Sequence, residues 1–469
     1  MSSPVQPVIV ILAAGLGTRM KSARAKVLHS AGGKTLVEHV VDTALQIALP
    51  ERVFVVIGHQ AEAVRELLRS RDVGFIHQEK QKGTGHALMC GRPQLDSLAG
   101  PLLILYGDCP LISAETLRRL VEGQMAGGGG GTVLSTVLDD PTGYGRILRG
   151  EGDRVAAIVE QKAGSPEQLA VREINSGIYC FRSEAFWREI DHVVPNNAAR
   201  EYYLTDVVAL LDRAGDPVFA VKVDDSSEVL GINNRVELAA VDRLLRDRKT
   251  RDLMLAGVTI EKPETVTIDS AVTVGPDTVI EAFVHLRGKT LVGENCRIGA
   301  CSIIENSQLA SGVEVLPFTS MTGAKIESSA RIGPFTRIRP GTHIGPRAHV
   351  GNFVELKNTY LGEGSKANHL AYLGDSDIGE AVNVGAGAIT CNYDGSRKHK
   401  TIIGPGVFVG SNATIVAPVE IGAGAYVGAG SVVTHPVPKD ALVVGRARQV
   451  VKEGWARTRR DAKLPPKSR

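Results

Sequence analysis

Three stretches of this 469-residue sequence carry residue types whose spacing can do chemistry. The run Leu12-Ala13-Ala14-Gly15-Leu16-Gly17-Thr18-Arg19-Met20 follows an apolar segment, and Lys26 comes shortly after it. Small residues let backbone N–H groups approach an anion, and Arg19 and Lys26 can neutralise a triphosphate. The run lacks the third glycine of the dinucleotide fingerprint and the Gly-Lys-Ser/Thr of a P-loop, so by itself it also reads as an ordinary strand-to-helix turn. Tyr106-Gly107-Asp108 ends a second apolar run. A carboxylate at the C-terminal end of a sheet strand stands where α/β folds bind ligands. The third signal is a pair of polar segments, 364–374 and 391–400, that interrupt an aliphatic repeat and contain His369, Tyr372, Asn392, Tyr393 and Lys398. A solenoid needs no chemistry, so such breaks mark either loop insertions with solvated charges or a site.

The elements that must position these residues differ between the two halves. In the first, strand-like runs at 8–13, 53–58, 102–108 and 133–138 alternate with helical patterns at 35–48, 60–70 and 113–124. Such βαβ alternation predicts an open, mostly parallel α/β sheet. In the second, steps of six from Ile268 meet Val274, Ile280, Leu286, Val292, Ile298 and Ile304. The phase slips and resumes at Ile326, Ile332, Ile338, Ile344, Val350 and Leu356, and again from Ile403 through Val409, Ile415, Ile421, Val427 and Val433. One inward aliphatic residue per hexapeptide predicts a parallel β-helix, with 263–437 forming nine to ten coils. Between the halves, 235–257 has helical spacing and high charge and reads as a connecting helix.

Composition fits this division and excludes several classes. Gly is abundant, at 52 residues, while Phe, Tyr and Trp number only 10, 9 and 2, as expected of many tight turns around a thin aliphatic interior. No run of 18 apolar residues exists, so no membrane span is expected. The start has no basic region or cleavage-type pattern and reads as a cytoplasmic N-terminus. The six cysteines (90, 109, 180, 296, 301, 391) lack metal-ligand spacing and read as reduced thiols. The net charge of +3 also arises locally: 456–469 holds six Lys/Arg and one Asp, which leaves the rest slightly acidic. Nucleic-acid binding is therefore not expected, and the tail 451–469 reads as disordered.

The motif LAAGxGTRM followed by a lysine resembles the signature of sugar-1-phosphate nucleotidyltransferases. With the β-helix behind it, the sequence resembles the bifunctional N-acetylglucosamine-1-phosphate uridyltransferase/glucosamine-1-phosphate acetyltransferase (GlmU) family from about Val8 to Trp455. Two departures are Ala25, where that family has Pro, and Arg200, where it commonly has Gly. The resemblance implies a nucleotidyltransferase domain at 1–234, the connecting helix, and a left-handed β-helix acetyltransferase domain at 258–450. It also implies a cytoplasmic homotrimer that supplies UDP-N-acetylglucosamine for cell-envelope sugars.

Residue by residue, the resemblance puts Leu12, Ala13, Ala14, Gly15, Gln78, Gly83 and Thr84 on UTP, with Arg19 and Lys26 on its phosphates. Asp108 and Asn233 would hold Mg²⁺. Tyr106, Gly107, Gly145, Glu160 and Asn175 would meet the nucleotide and the sugar. In the second half it makes His369 the base for acetyl transfer to an amine, a role suited to a group titrating near pH 7, with Glu355 orienting it. Arg339, Lys357, Tyr372, Asn383 and Lys398 would bind glucosamine 1-phosphate, Lys398 from a neighbouring subunit. Ala386, Asn392, Tyr393, Ser411, Ala429 and Arg446 would contact acetyl-coenzyme A. Two rival readings are a monofunctional nucleotidyltransferase with a structural β-helix and a non-catalytic scaffold.

Overall fold

A computed structural model describes residues 6–197 and 200–462, and the chain divides near residue 248 into two compact units. In the first unit, β1 (Val8–Leu12), β2 (Val53–Ile57), β3 (Gly74–His77) and β4 (Leu102–Tyr106) are parallel neighbours in the order β3-β2-β1-β4. Helices α1 (Leu36–Ala44), α2 (Ala61–Leu68) and α3 (Thr84–Leu95) make the crossovers, and α4 (Ala114–Gly127) follows β4. The parallel strands are apolar at nearly every position because both faces are covered: Ile9 and Ile11 pack on one side, Val8 and Val10 on the other. β5 (Gly131–Val137), β6 (Gly145–Arg149) and β7 (Val155–Val159) come next. β8 (Glu173–Phe181) is the antiparallel link between β4 and β5, and it also pairs with β6. After α5 (Ser183–Glu189) and α6 (Asp206–Arg213), β9 (Val218–Lys222) closes the far edge beside β5. Helix α7 (Arg235–Leu255) leads into the second unit.

The second unit is a solenoid of three parallel sheets. Face one starts at Thr259–Ile260 and has eleven short strands, face two starts at Thr267–Ile268 and has ten, and face three starts at Thr273–Val274 and has nine. Each rung stacks its aliphatic residue on the one a coil earlier, as in Ile298 on Ile280 and Ile304 on Leu286. The stack forms one continuous buried core. Aromatic rings stand outside it: Phe318, Phe335 and Phe353 stack face to face at one corner, with centroids 4.9 and 5.4 Å apart.

The structure corrects the sequence reading at the phase slip. Ile304 is followed inward by Leu309 and Met321 by Ile326, steps of five. The corner between faces two and three is one residue shorter there, turning at Asn306 and Gly323 with positive φ. The same shortening at Asn358 and Asp375 disguises 364–374 as a break. That segment is a regular coil, with Ala367 and Leu373 buried inward. The segment 391–400 does hold a true insertion, 392–400, between strands Ile389–Cys391 and Thr401–Ile403. Of the expected tail, Trp455–Asp461 forms an exposed helix, and 463–469 lie outside the described residues. No helix among the described residues is long and apolar enough to cross a membrane.

Candidate functional site

The first site forms where β1 and β4 end side by side, Leu12 opposite Tyr106. The Gly107 N–H donates to the Leu12 carbonyl (3.0 Å), so both chains leave the sheet together. Ala13 and Ala14 are buried, whereas Gly15 and Leu16 are exposed. Gly17 has φ +61°, and a Cβ there would lie 2.6 Å from the Lys26 Cβ, so only glycine lets the loop fold back this closely. Ala25 is buried, its N–H donates to Gln60 Oε1 (2.9 Å), and the Gln60 amide donates to the Ala23 carbonyl (2.8 Å). A proline at 25 has no N–H to give. Gln60 therefore steadies here what ring rigidity would steady elsewhere, and nothing local in the sequence marks it.

Charge gathers at this end of the sheet. The Lys26 ammonium pairs with the Asp108 carboxylate and lies 3.4 Å from Asn233 Oδ1, and Arg19 donates to that same Asn233 oxygen at 2.7 Å. The Ile232 N–H donates to the Asp108 carbonyl (3.1 Å), and the Asn233 N–H to the Glu237 carboxylate (2.6 Å). Asp108 and Asn233 thus present two hard oxygens to one point, since a single ammonium touches both. That donor set suits Mg²⁺, which is held by one or two carboxylate-type oxygens and completes its shell with phosphate and water. Among the described residues no group of three His, Cys, Asp or Glu forms a fuller metal cage.

The remaining expected contacts of this half line the same end. Gln78 is buried, and its amide nitrogen donates to the Gly83 carbonyl (3.0 Å) and lies 3.1 Å from His86 Nδ1. Gly83 has φ +104°, and a Cβ there would meet the Tyr202 carbonyl at 2.6 Å. Thr84 Oγ1 accepts from the Leu204 N–H (3.1 Å). Burial, then the nearby Glu160 and Asp108 charges, push the Tyr106 phenol well above its usual range. Gly145 pairs with Asn175 across β6 and β8, and Asn175 Oδ1 accepts from the Gly177 N–H (3.0 Å). Glu160 follows β7 directly. Burial, then the Asp206 carboxylate, raise its pKa, against a hydrogen bond from Thr205. Asp206 and Thr205 sit at the start of α6 and carry no sequence motif that flagged them. Arg200 takes φ +52°, the left-handed conformation that glycine adopts without strain.

In the solenoid, His369, Ala386, Ser411 and Ala429 stack on one edge, where face one turns into face two. Successive backbone bonds link the coils there: Gly387 N–H to His369 C=O (3.4 Å), Asn412 to Ala386 (2.7 Å), Gly430 to Ser411 (2.8 Å). Coils are about 4.8 Å apart, so these four residues form one column on the protein surface. Arg446 lies beside its top, its Cδ 3.9 Å from where a Gly430 Cβ would stand. Asn383 points out from face one, and Glu355 and Tyr372 are neighbours on face two.

Arg339, Lys357, Lys398 and the Asn392-Tyr393 turn cluster at the other edge of face two. Asp375, which the sequence reading passed over, organises them. It accepts from Asn358 (2.8 Å) and from Asn392, and lies 3.7 Å from the Lys357 ammonium. Burial opposes its ionisation, but these partners hold its pKa below the usual carboxylate range. The neighbouring Lys357 ammonium holds Lys398 below the usual lysine range. Two adjacent lysines with Arg339 make an anion-attracting corner. The Tyr393 hydroxyl donates to the Gly395 carbonyl (2.6 Å). Glu355 differs from the expectation: its carboxylate accepts from Arg339 (3.0 Å) and makes no hydrogen bond to His369.

Comparison with known proteins adds independent findings. Residues 9–165 match the model of the MobA-like NTP transferase domain, and 271–306, 323–358 and 400–435 match the bacterial transferase hexapeptide. A "Bifunctional protein GlmU" from Solibacter usitatus is 58% identical over 96% of this chain and 97% of its own length. Proteins of the same name from Koribacter versatilis and a Nostoc species are 50% and 46% identical, each over 96% of this chain and 97% and 98% of their own.

Proposed function

This chain belongs to the family of bifunctional GlmU proteins, and from that premise we infer how its two reactions are divided over its residues. It is a bifunctional transferase that makes UDP-N-acetylglucosamine, with a nucleotidyltransferase half and a hexapeptide-repeat acyltransferase half. The observation that supports the division is the separation of two chemically distinct clusters into two compact units. One sets cations against a carboxylate and an amide, and the other sets a histidine on an edge of small residues.

In the solenoid, acetyl transfer to glucosamine 1-phosphate requires the amine to lose a proton as it attacks the thioester. His369 accepts that proton. Arg339, Lys357 and Lys398 hold the phosphate at the far edge of face two, Tyr372 and Asn383 contact the sugar, and Glu355 fixes Arg339. The small column Ala386, Ser411 and Ala429 leaves room for the pantetheine arm, with Asn392, Tyr393 and Arg446 around acetyl-coenzyme A. Asn383 and Tyr372 lie on different faces of a convex edge, which encloses nothing alone. The site is therefore completed by neighbouring copies in a homotrimer.

In the first unit, N-acetylglucosamine 1-phosphate is already an anion and attacks the α-phosphorus of UTP without a general base. Arg19 and Lys26 bind the phosphates, and the backbone of Leu12, Ala13, Ala14 and Gly15 cradles them. Gln78, Gly83 and Thr84 border the uracil, while Tyr106, Gly107, Gly145, Glu160 and Asn175 border the ribose and sugar. Asp108 and Asn233 hold Mg²⁺, which when bound cancels charge on the phosphates and aligns them for in-line displacement. The product feeds cell-envelope sugar synthesis, and both co-substrates place the enzyme in the cytoplasm.

The test is one incubation with glucosamine 1-phosphate, acetyl-coenzyme A, UTP and Mg²⁺, with free thiol and pyrophosphate assayed separately. Both are expected. Pyrophosphate without thiol, when N-acetylglucosamine 1-phosphate is supplied, would leave only the monofunctional reading.

A further inference from the structure

The two side chains assigned to the triphosphate are bonded in this structure to the two assigned to the metal. Lys26 pairs with Asp108 and lies 3.4 Å from Asn233 Oδ1, and Arg19 donates to the same Asn233 oxygen at 2.7 Å. The Lys26 and Asp108 side chains are only 17% and 13% exposed. At that depth either charge is costly without its partner. The stem of Lys26 is pinned by Gly17 against its Cβ and by the Gln60 clamp on Ala25, so only its terminal methylenes are free to swing.

We propose that Lys26 is the resident counter-ion of the metal site, and that metal and ammonium occupy the Asp108–Asn233 oxygens by turns. The proposal rests on the assignment of Asp108 and Asn233 as metal ligands. Without nucleotide, a dication entering the site must expel an ammonium that has no anion to receive it, so metal binds weakly. A triphosphate supplies that anion. Lys26 then moves from carboxylate to phosphate as the metal takes its place, and Arg19 is released from Asn233 by the same exchange. Metal-free UTP gains Lys26 only by leaving Asp108 unpaired beside its own negative charge. The site therefore rejects uncomplexed nucleotide by charge, without needing a side chain that contacts the metal-free form.

The experiment measures Mn²⁺ binding to the full-length, nucleotide-free protein by electron paramagnetic resonance, alongside its thermal transition. Lys26→Met keeps the length and removes the charge. Its Mn²⁺ affinity should rise by roughly 5- to 150-fold, the range of an ordinary coupling between sites. Lys26→Gln, measured in parallel, should move the same way and guards against one variant failing to fold. Mn²⁺ affinity unchanged or lowered in folded Lys26 variants overturns the exchange. Asp108→Asn distinguishes the underlying reading: it should abolish Mn²⁺ binding with Lys26 present or replaced. Binding that survives Asp108→Asn shows that the metal ligands were misassigned, and the exchange falls with them.

Discussion

Replacing Gln60 by alanine removes both hydrogen bonds that fix the chain just before Lys26, one from the Ala25 N–H (2.9 Å) and one to the Ala23 carbonyl (2.8 Å). Each such bond contributes about 0.5–1.5 kcal/mol net, and a buried N–H left unpaired costs about 1–3 kcal/mol more. Ala25 is buried but Gln60 is exposed, so water reaches part of the gap and the loss sits near the low end, about 2 kcal/mol. For a unit of 248 residues that is a fall in thermal midpoint of about 4–8 °C. The loop also positions Lys26, so kcat/KM for pyrophosphate release should drop by roughly ten-fold, the equivalent of about 1.4 kcal/mol. The informative variant is the double one. Ala25 has φ −56° and ψ 141°, which proline adopts without strain, and proline leaves no orphan donor. Ala25→Pro with Gln60→Ala should therefore recover at least about 1 kcal/mol of the single Gln60→Ala loss. Calorimetry and a pyrophosphate assay on the four proteins complete the cycle. Strictly additive effects, or a Gln60→Ala protein with unchanged melting and turnover, would refute the clamp.

Four further outcomes are expected. EDTA should abolish pyrophosphate release and spare thiol release, because attack on the thioester uses no metal; equal loss of both would remove Asp108 and Asn233 from the metal site. His369→Ala should slow thiol release by roughly 10²- to 10⁴-fold while supplied N-acetylglucosamine 1-phosphate still couples to UTP at near wild-type rate, and normal acetylation by this variant returns His369 to a structural role. Burial and Asp206 raise the Glu160 pKa in the folded state, so the unfolded chain gives up that proton more readily and ionised Glu160 costs stability once pH exceeds the ordinary carboxylate range. Glu160→Gln should accordingly raise the melting temperature at pH 8 but not at pH 4 while weakening sugar binding, and an equal gain at both values contradicts the shift. Arg200→Gly removes a left-handed side chain worth about 1–2 kcal/mol of strain and should raise the melting temperature by a few degrees; a fall would mean that Arg200 makes compensating contacts.

Local physics made much of this protein legible in its sequence. The inward rungs of the solenoid repeat because each strand buries one residue per hexapeptide, so Ile268 through Ile304 could be read off by counting. The loop proposed to hold the phosphates could be singled out because its glycines, Arg19 and Lys26 are close in sequence. Counting failed where the corner changed length: a corner shortened by one residue at Asn358 and Asp375 and an insertion of nine residues after Cys391 look alike in a fixed six-step reading. Only the folded coil shows that Ala367 and Leu373 keep the interior filled.

Tertiary structure alone decided the pairings. Asp108 meets Lys26 across 82 residues, and Asn233 meets Arg19 across 214. The first pairing depends on β1 and β4 being parallel neighbours that end in register, and the second on the chain returning after β9 so that the Ile232 N–H reaches the Asp108 carbonyl. The partner of Glu355 was equally out of reach: alternation along the strand puts it on the outer side of face two, but Arg339 took the carboxylate and His369 did not. A side chain's type and face follow from near neighbours along the chain, whereas its partner follows from which strands lie side by side, and that is set by the packing of the whole sheet or coil.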